Sequence, residues 1–302
     1  SANIRASKDW GAVKKTVICK QCGGEAVYDG AETANTCPFC GSTSVMPVDD
    51  DKDVMAPGAV VPFSVSADKA AELFKKWIGG KLFAPNDAKK SCRAKDIHGV
   101  YLPYWTYDSD TDSSYTAMLG FDRKVKDKDG NTKTVTDWRP TRGMYQEFID
   151  DQLVYASKKT VNQYIKSVSQ FDFSKLTNYS PEIVAGFVAE RYSVGLDEGW
   201  GIAQKEIANT LRNHLGDKLK RQHHADRVKD IKMSTNYSNI TFKYLLAPIW
   251  LAAFKYNSKV YNIVINGQTG KIAGESPVSK IKVAIAIAIA IAVIALIIWL
   301  NS

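Results

Sequence analysis

Four cysteines in two matched pairs constrain this chain more than anything else in it. They read Cys19-Lys20-Gln21-Cys22-Gly23-Gly24 and Cys37-Pro38-Phe39-Cys40-Gly41-Ser42, with fourteen residues between Cys22 and Cys37. Each Cys-x-x-Cys forms a tight turn that aims two sulfurs at one point. The glycine that follows lets the backbone bend so that amide N–H groups approach the sulfurs. Two such turns supply four thiolates, the donor set of a tetrahedral zinc ion. Val27-Tyr28-Asp29-Gly30 and Ala34-Asn35-Thr36 then supply the strands between the knuckles. Iron shares this donor set. Two disulfides would conflict with the reducing compartment that thiolate ligands require. With thiolate in all four positions no site stays open for water, so the expected Zn2+ is structural: it folds a module too small to bury an adequate core. The fifth cysteine, Cys92, stands alone.

The other end of the chain is equally restrictive. Val283 to Leu300 is an unbroken apolar run, mostly alternating alanine and isoleucine. Eighteen residues of helix span about 27 Å, close to the hydrocarbon thickness of a bilayer. The alternation also suits a strand, but an isolated strand leaves its backbone unsatisfied in lipid and a helix does not. Trp299 falls where an interfacial aromatic belongs, and Lys271, Lys280 and Lys282 precede the run while only Asn301 and Ser302 follow it. The positive-inside bias therefore places the soluble part in the cytosol, as a single-pass, tail-anchored protein of the cytoplasmic membrane. No apolar stretch near Ser1 reads as a signal peptide.

Between these ends we expect an α+β protein in four parts: a zinc ribbon with its N-terminal extension (1–48), an acidic linker (49–58), a mixed α/β domain (59–279) and the transmembrane helix (280–302). Asp49-Asp50-Asp51-Lys52-Asp53 has nothing apolar to bury and reads as linker. Val60-Val61-Pro62-Phe63 reads as a short strand. Ser66 caps a helix on which Ala70, Leu73, Phe74 and Trp77 recur at helical spacing, and Gly79-Gly80 ends it. Gly99 to Trp105 is β-prone. Asp108, Asp110 and Asp112 follow, and they fail as a calcium loop because Ser113 stands where glycine is needed and Leu119 where glutamate is needed. Alternating carboxylates on the wet face of a strand is the better reading. Asp129-Gly130 signals a hairpin, and residues 143–170 continue in strand-like style. From Ser180-Pro181 the pattern predicts a helix with Ile183, Val184, Phe187, Val188 and Tyr192 on one stripe. Asp197 opens a second helix to about residue 221, with Ile202, Ile207, Leu211, Leu215 and Leu219 inward. Strands return at 241–247, 250–256, 259–265 and 271–272, with a glycine-rich turn at Asn266 to Gly270 that lacks phosphate-loop spacing.

One internal similarity links the halves. Tyr101-Leu102-Pro103-Tyr104-Trp105 resembles Leu246-Ala247-Pro248-Ile249-Trp250, each with a proline two residues before a tryptophan. Proline donates no ladder hydrogen bond, so both segments are expected at a sheet edge or at a bulge, as a repeated strand motif.

No catalytic constellation emerges. The histidines are His98, His214, His223 and His224, and the adjacent pair points to different helix faces. HExxH, GxSxG and GxGxxG are all missing. The net charge of +8, from 40 basic and 32 acidic residues, suits an anionic partner or a solvated basic surface. In the ribbon, however, Lys20 is the one basic residue of the knuckle loops, and Glu25, Asp29 and Glu32 are acidic. Nucleic-acid binding is therefore a weaker expectation than binding of a protein partner.

The two cysteine knuckles, Val61-Pro62-Phe63, Gly99 to Trp105, Ala247-Pro248-Ile249-Trp250, Asn266 to Lys271 and the terminal apolar run together resemble a bacterial family common in Firmicutes, the TFIIB-type zinc-ribbon-containing membrane proteins. The resemblance covers nearly the whole chain. It implies a ribbon, an anchor and no defined activity, because the family is largely uncharacterised. Members are often labelled primosomal helicase-like, which this chain contradicts because it has no Walker A loop. Three function classes remain: a membrane-tethered adaptor for another protein, a nucleic-acid-binding ribbon at the membrane, and a membrane-bound enzyme whose central domain uses Cys92 or the acidic residues.

Overall fold

The computed structural model describes residues 14–21, 25–29, 37, 42–48, 55–90, 97–126, 128, 131–158, 164–256 and 259–300. In chain order the elements are β1 (Lys14–Cys19), β2 (Glu25–Asp29), β3 (Val45–Val48), β4 (Ala59–Val60), α1 (Ala67–Gly79), α2 (Asn86–Lys90), β5 (Ile97–Lys126), β6 (Thr132–Tyr155), α3 (Ile165–Val168), β7 (Thr177–Asn178), β8 (Val188–Glu190), α4 (Leu196–His223), β9 (Arg227–Tyr256), β10 (Lys259–Asn266), β11 (Ile272–Gly274) and α5 (Lys280–Leu300). The architecture is mixed α/β with a large sheet. The chain divides into two compact units, each discontinuous in sequence. Unit 1 takes Ser1–Pro103, Ser157–Ser193 and Leu245–Ser302; unit 2 takes Tyr104–Ala156 and Val194–Tyr244.

In unit 2, β6, β5 and β9 form long strands, with β5 in the middle. The β5–β6 pairing runs from Tyr104↔Tyr155 to Lys126↔Thr132, so the hairpin is present, although Asp129-Gly130 at its tip lie outside the described residues. Along β5 the odd-numbered Tyr107, Ser109, Thr111 and Ser113 are buried, while Asp110 is exposed and Asp108 and Asp112 are half-buried. The aspartates thus line the wetter face of a strand, as the period of two requires. Helix α4 covers the other face. Ile207, Leu211, Leu215 and Leu219 are all buried on it, at the spacing read from sequence. Its N-cap is Gly195, with Asp197 in the first turn favouring the helix dipole.

Tyr107 fixes the start of that helix. Its hydroxyl donates to the Leu196 carbonyl at 2.8 Å, and its ring lies 5.4 Å from that of Trp200. Gly199 makes this close approach possible, because a Cβ there would lie 2.4 Å from the Tyr107 hydroxyl and 2.9 Å from Trp105 Cδ1. Gly199→Val is therefore expected to destabilise unit 2 by about 1–3 kcal/mol through overpacking, outweighing the small helix-propensity gain over glycine. Chemical denaturation followed at residues of α4 measures it.

Unit 1 holds two sets of strands. One runs β11-β10-β9-β4-β7, the other β5-β8-β2-β1-β3. Its core gathers Ala70, Phe74 and Ile78 of α1 with Ile97, Trp250, Ile263 and Ile265. Phe63 sits at the centre of an aromatic group, with ring centroids 4.4 Å from Phe187, 4.8 Å from Trp250 and 5.2 Å from Tyr101. Ser66 caps α1 by accepting from the Lys69 amide at 3.2 Å. The turn after β10 is organised by Asn266, whose side-chain oxygen accepts from the amides of Gln268 and Thr269 at 2.9 and 2.8 Å, and Gly270 completes it at φ +75°.

Three expectations are corrected. Residues 180–192 form no helix: turns lead to Gly186 at φ +76°, and Val188–Glu190 then pair as β8 with both β2 and β5. The strands read at 241–247 and 250–256 are one strand, β9, which begins far earlier, at Arg227. And neither proline motif lies at an edge, since β5 and β9 each have neighbours on both sides.

Both prolines instead mark a change of neighbour. On one side of β5 the parallel pairing with β8 ends at Tyr101↔Ala189, and the antiparallel pairing with β6 begins at Tyr104↔Tyr155. On one side of β9 the parallel pairing with β4 ends at Val60↔Leu246, and the antiparallel pairing with β10 begins at Ile249↔Asn266. Pro103 and Pro248 each fill the gap, where the missing N–H is not needed. The equivalence extends further. Trp105 Nε1 donates to the Val194 carbonyl at 2.8 Å and Trp250 Nε1 to the Val65 carbonyl at 2.9 Å. The Val194 amide donates to Ala156 O and the Val65 amide to Gly267 O. Each valine belongs to a matching run, Phe63-Ser64-Val65-Ser66-Ala67-Asp68 or Tyr192-Ser193-Val194-Gly195-Leu196-Asp197, that leads into a helix. The chain therefore carries one structural unit twice, with each tryptophan anchoring the helix that comes from the other copy.

Candidate metal centre

The cysteine-bearing segment builds a small antiparallel sheet with β1 between β2 and β3. Its middle strand is buried on both faces: Thr16, Val17 and Cys19 of β1 are all buried, and Ala26 packs against Val17. Cys19 ends β1 opposite Val45, the first residue of β3. The first knuckle therefore leaves the sheet at the end where the second enters it. The Lys20 amide donates to Ser44 O at 2.9 Å, and the Cys37 amide donates to Ser42 O at 2.7 Å. Cys19 is 1% exposed and Cys37 3%. Cys22 and Cys40 lie outside the described residues, as does Cys92. The structure thus buries two of the four cysteines expected to hold the metal, Cys19 and Cys37, and says nothing of the other two. The sheet is not isolated: β2 pairs with β8 through Ala26↔Glu190 and Val27↔Ala189, so it continues into the rest of unit 1.

Among the described residues one other group has metal-ligand spacing, the carboxylates of Asp108, Asp150 and Asp151 in unit 2. A bulge between Tyr107 and Ser109 and a left-handed Asp151 (φ 49°) bring them together. The sequence pattern places Asp108 on the wet face of a strand, and the bulge and the left-handed Asp151 are what bring it to Asp150 and Asp151. One cation of the chain, Lys243, partly offsets these three carboxylates. Lys243 Nζ lies 3.1 Å from Asp151 and 3.8 Å from Asp108, the Asp151 amide donates to Asp108 Oδ1, and Thr241 donates to Asp108 Oδ2. Burial pulls the Lys243 ammonium down, but the carboxylates of Asp151, Asp108 and Asp150 outweigh it and hold its pKa above the usual lysine value. An ammonium therefore already pairs with two of the three carboxylates, Asp151 and Asp108.

The histidines do not converge on a site. His98 is exposed on β5, His223 ends α4, and His224 follows it at φ 51° as the C-cap. His214 pairs through Nδ1 with Glu147 at 2.7 Å, and Glu147 also accepts from the Tyr145 hydroxyl at 2.6 Å. Burial, then the bond to Glu147 and its charge, push the Tyr145 phenol well above the usual tyrosine value. A phenol held protonated, a carboxylate and an exposed imidazole in this order form a tether between β6 and α4.

The chain is similar to the uncharacterized protein YdjG of Bacillus subtilis (strain 168), with 26% identity over 229 residues. The match covers 76% of this chain and 66% of that protein, just under two thirds of its length. No protein-family model and no solved structure matches the chain.

Proposed function

We propose that this is a membrane-anchored zinc-ribbon protein of the TFIIB-type kind, with its soluble part on the cytosolic side, and that it works as a non-catalytic adaptor for another protein. The observation that carries the reading is α5. It is a 21-residue helix, long and apolar enough to cross a bilayer, and none of its residues is buried by the rest of the chain. Such a surface is tolerable in lipid and costly in water. The adaptor role follows from pairing this anchor with a coordinatively closed metal site, which presents a folded surface and does no chemistry of its own.

Sedimented membranes test the anchor. The protein is expected to stay in the pellet through alkaline carbonate and high salt and to leave it only with detergent. Release by carbonate or salt alone would remove the anchor from the proposal. Crosslinking and mass spectrometry of the tagged protein in its own membrane test the role, with one stoichiometric partner expected. If no partner is recovered, the adaptor reading falls.

A further inference from the structure

Outside α5, the large apolar side chains of unit 1 that remain exposed among the described residues are Met46, Leu82, Phe83 and Val278. Three of these four meet in one place. Leu82, 82% exposed, and Phe83 lie in the loop between α1 and α2. Val278 lies two residues before α5, and Ser279 between them donates its amide to Phe83 O at 2.8 Å. Lys282, in the first turn of α5, fixes the same loop: its Nζ donates to Ala84 O at 2.8 Å and to Asn86 Oδ1 at 2.9 Å. The loop is thus bonded to the residues at which the apolar helix begins. Ile281, the first apolar side chain of that helix, is 74% exposed.

We propose that the loop Lys81–Pro85 dips into the membrane face that α5 enters, with Leu82 and Phe83 at the boundary of headgroups and acyl chains. The inference rests on reading α5 as a membrane span. If α5 enters lipid at Ile281, a loop tied to residues 279 and 282 lies at that level, and its two adjacent apolar side chains pass from water into lipid. Lys81 precedes Leu82 in the loop, and Lys280 and Lys282 stand in the first turn of α5, which supplies the positive charge that anionic headgroups attract. Lys81 Nζ lies 4.6 Å from the centre of the Trp77 ring, so an interfacial aromatic is held at the same place. A loop and a helix give two points of attachment, which fix the tilt of unit 1 against the bilayer where one flexible tether would not.

Photocrosslinking of the full chain in vesicles of phosphatidylethanolamine and phosphatidylglycerol tests this. A benzophenone side chain is placed singly at Phe83, at Ile289 within α5, or at Asp68, which is about one 20-Å helix length away along α1. Phospholipid-mass adducts are expected at 83 and 289 and not at 68. Adducts at 289 without any at 83 overturn the inference and leave the anchor standing. Absence of adducts at 289 removes both. Adducts at 68 equal to those at 83 also overturn it, since the whole face would then lie on lipid with no part for the loop.

Discussion

Serine in place of Cys19 is expected to strip the protein of zinc and to release the strands around it. Structural zinc contributes on the order of 10–16 kcal/mol to folding in small four-ligand modules at neutral pH. A lost thiolate opens the coordination sphere, and the affinity should fall by more than the ~10–100-fold typical of losing an outer-shell partner. Cys19 is almost completely buried at the end of the central strand of its sheet, so a serine hydroxyl there would lose the metal and find little water. Elemental analysis of purified full-length protein should give one zinc per chain, and close to none for Cys19→Ser or Cys37→Ser. Cys92→Ser should leave the content unchanged. Amide exchange should accelerate in β1, β2 and β3 of the serine variants while the strands of unit 2 keep their protection. Zinc-free wild-type protein, or zinc retained by Cys19→Ser, would refute the ribbon.

How much of this was legible from sequence varies with how local the controlling physics is. The cap of α1 and the stripes of α1 and α4 could be read because Ser66 and the i+4 series Ile207, Leu211, Leu215 and Leu219 act within a few residues, whereas the N-cap of α4 is Gly195, two residues before Asp197. The apolar run of α5 needs no context at all. The first half of β9 was missed although Ile231, Met233, Thr235 and Tyr237 are half-buried and alternate with exposed Lys232, Ser234, Asn236 and Ser238, because that run is short and is bounded by left-handed Asp230 and Asn239. Residues 183–192 misled for the opposite reason. Val184, Val188 and Tyr192 do recur at helical spacing, but a strand partner on each side of Val188–Glu190 overrides the local preference. The same limit hid the Asp108, Asp150 and Asp151 group, which is brought together by a bulge between segments more than forty residues apart. The proline-tryptophan repeat was visible as five residues. Its meaning was not, because the equivalent hydrogen bonds join each tryptophan to a valine far away in sequence.

That exchange makes the most discriminating folding prediction. Trp105 lies downstream of α1 in the chain, and Trp250 downstream of α4, yet the bonds run the other way: Trp105 holds Val194 at the start of α4, and Trp250 holds Val65 at the start of α1. Trp105→Ala should cost about 3–5 kcal/mol as a large buried aromatic is lost. Trp105→Phe should cost less, about 1–3 kcal/mol, since it mainly leaves the Val194 carbonyl without its donor in a buried setting. Amide exchange on the full chain in detergent shows where the cost falls. With Trp105→Phe, exchange should rise at the first turn of α4, where the Gly199 amide donates to Gly195 O, and hold steady at the first turn of α1. With Trp250→Phe it should rise at the Ala70 amide, which donates to Ser66 O, and hold steady in α4. If each substitution loosened the helix that precedes it in sequence, the exchanged arrangement of the two copies would be wrong. Equal loosening of both helices would mean that the copies melt as one, and the tryptophans would then report global stability with no preference for the helix each one anchors.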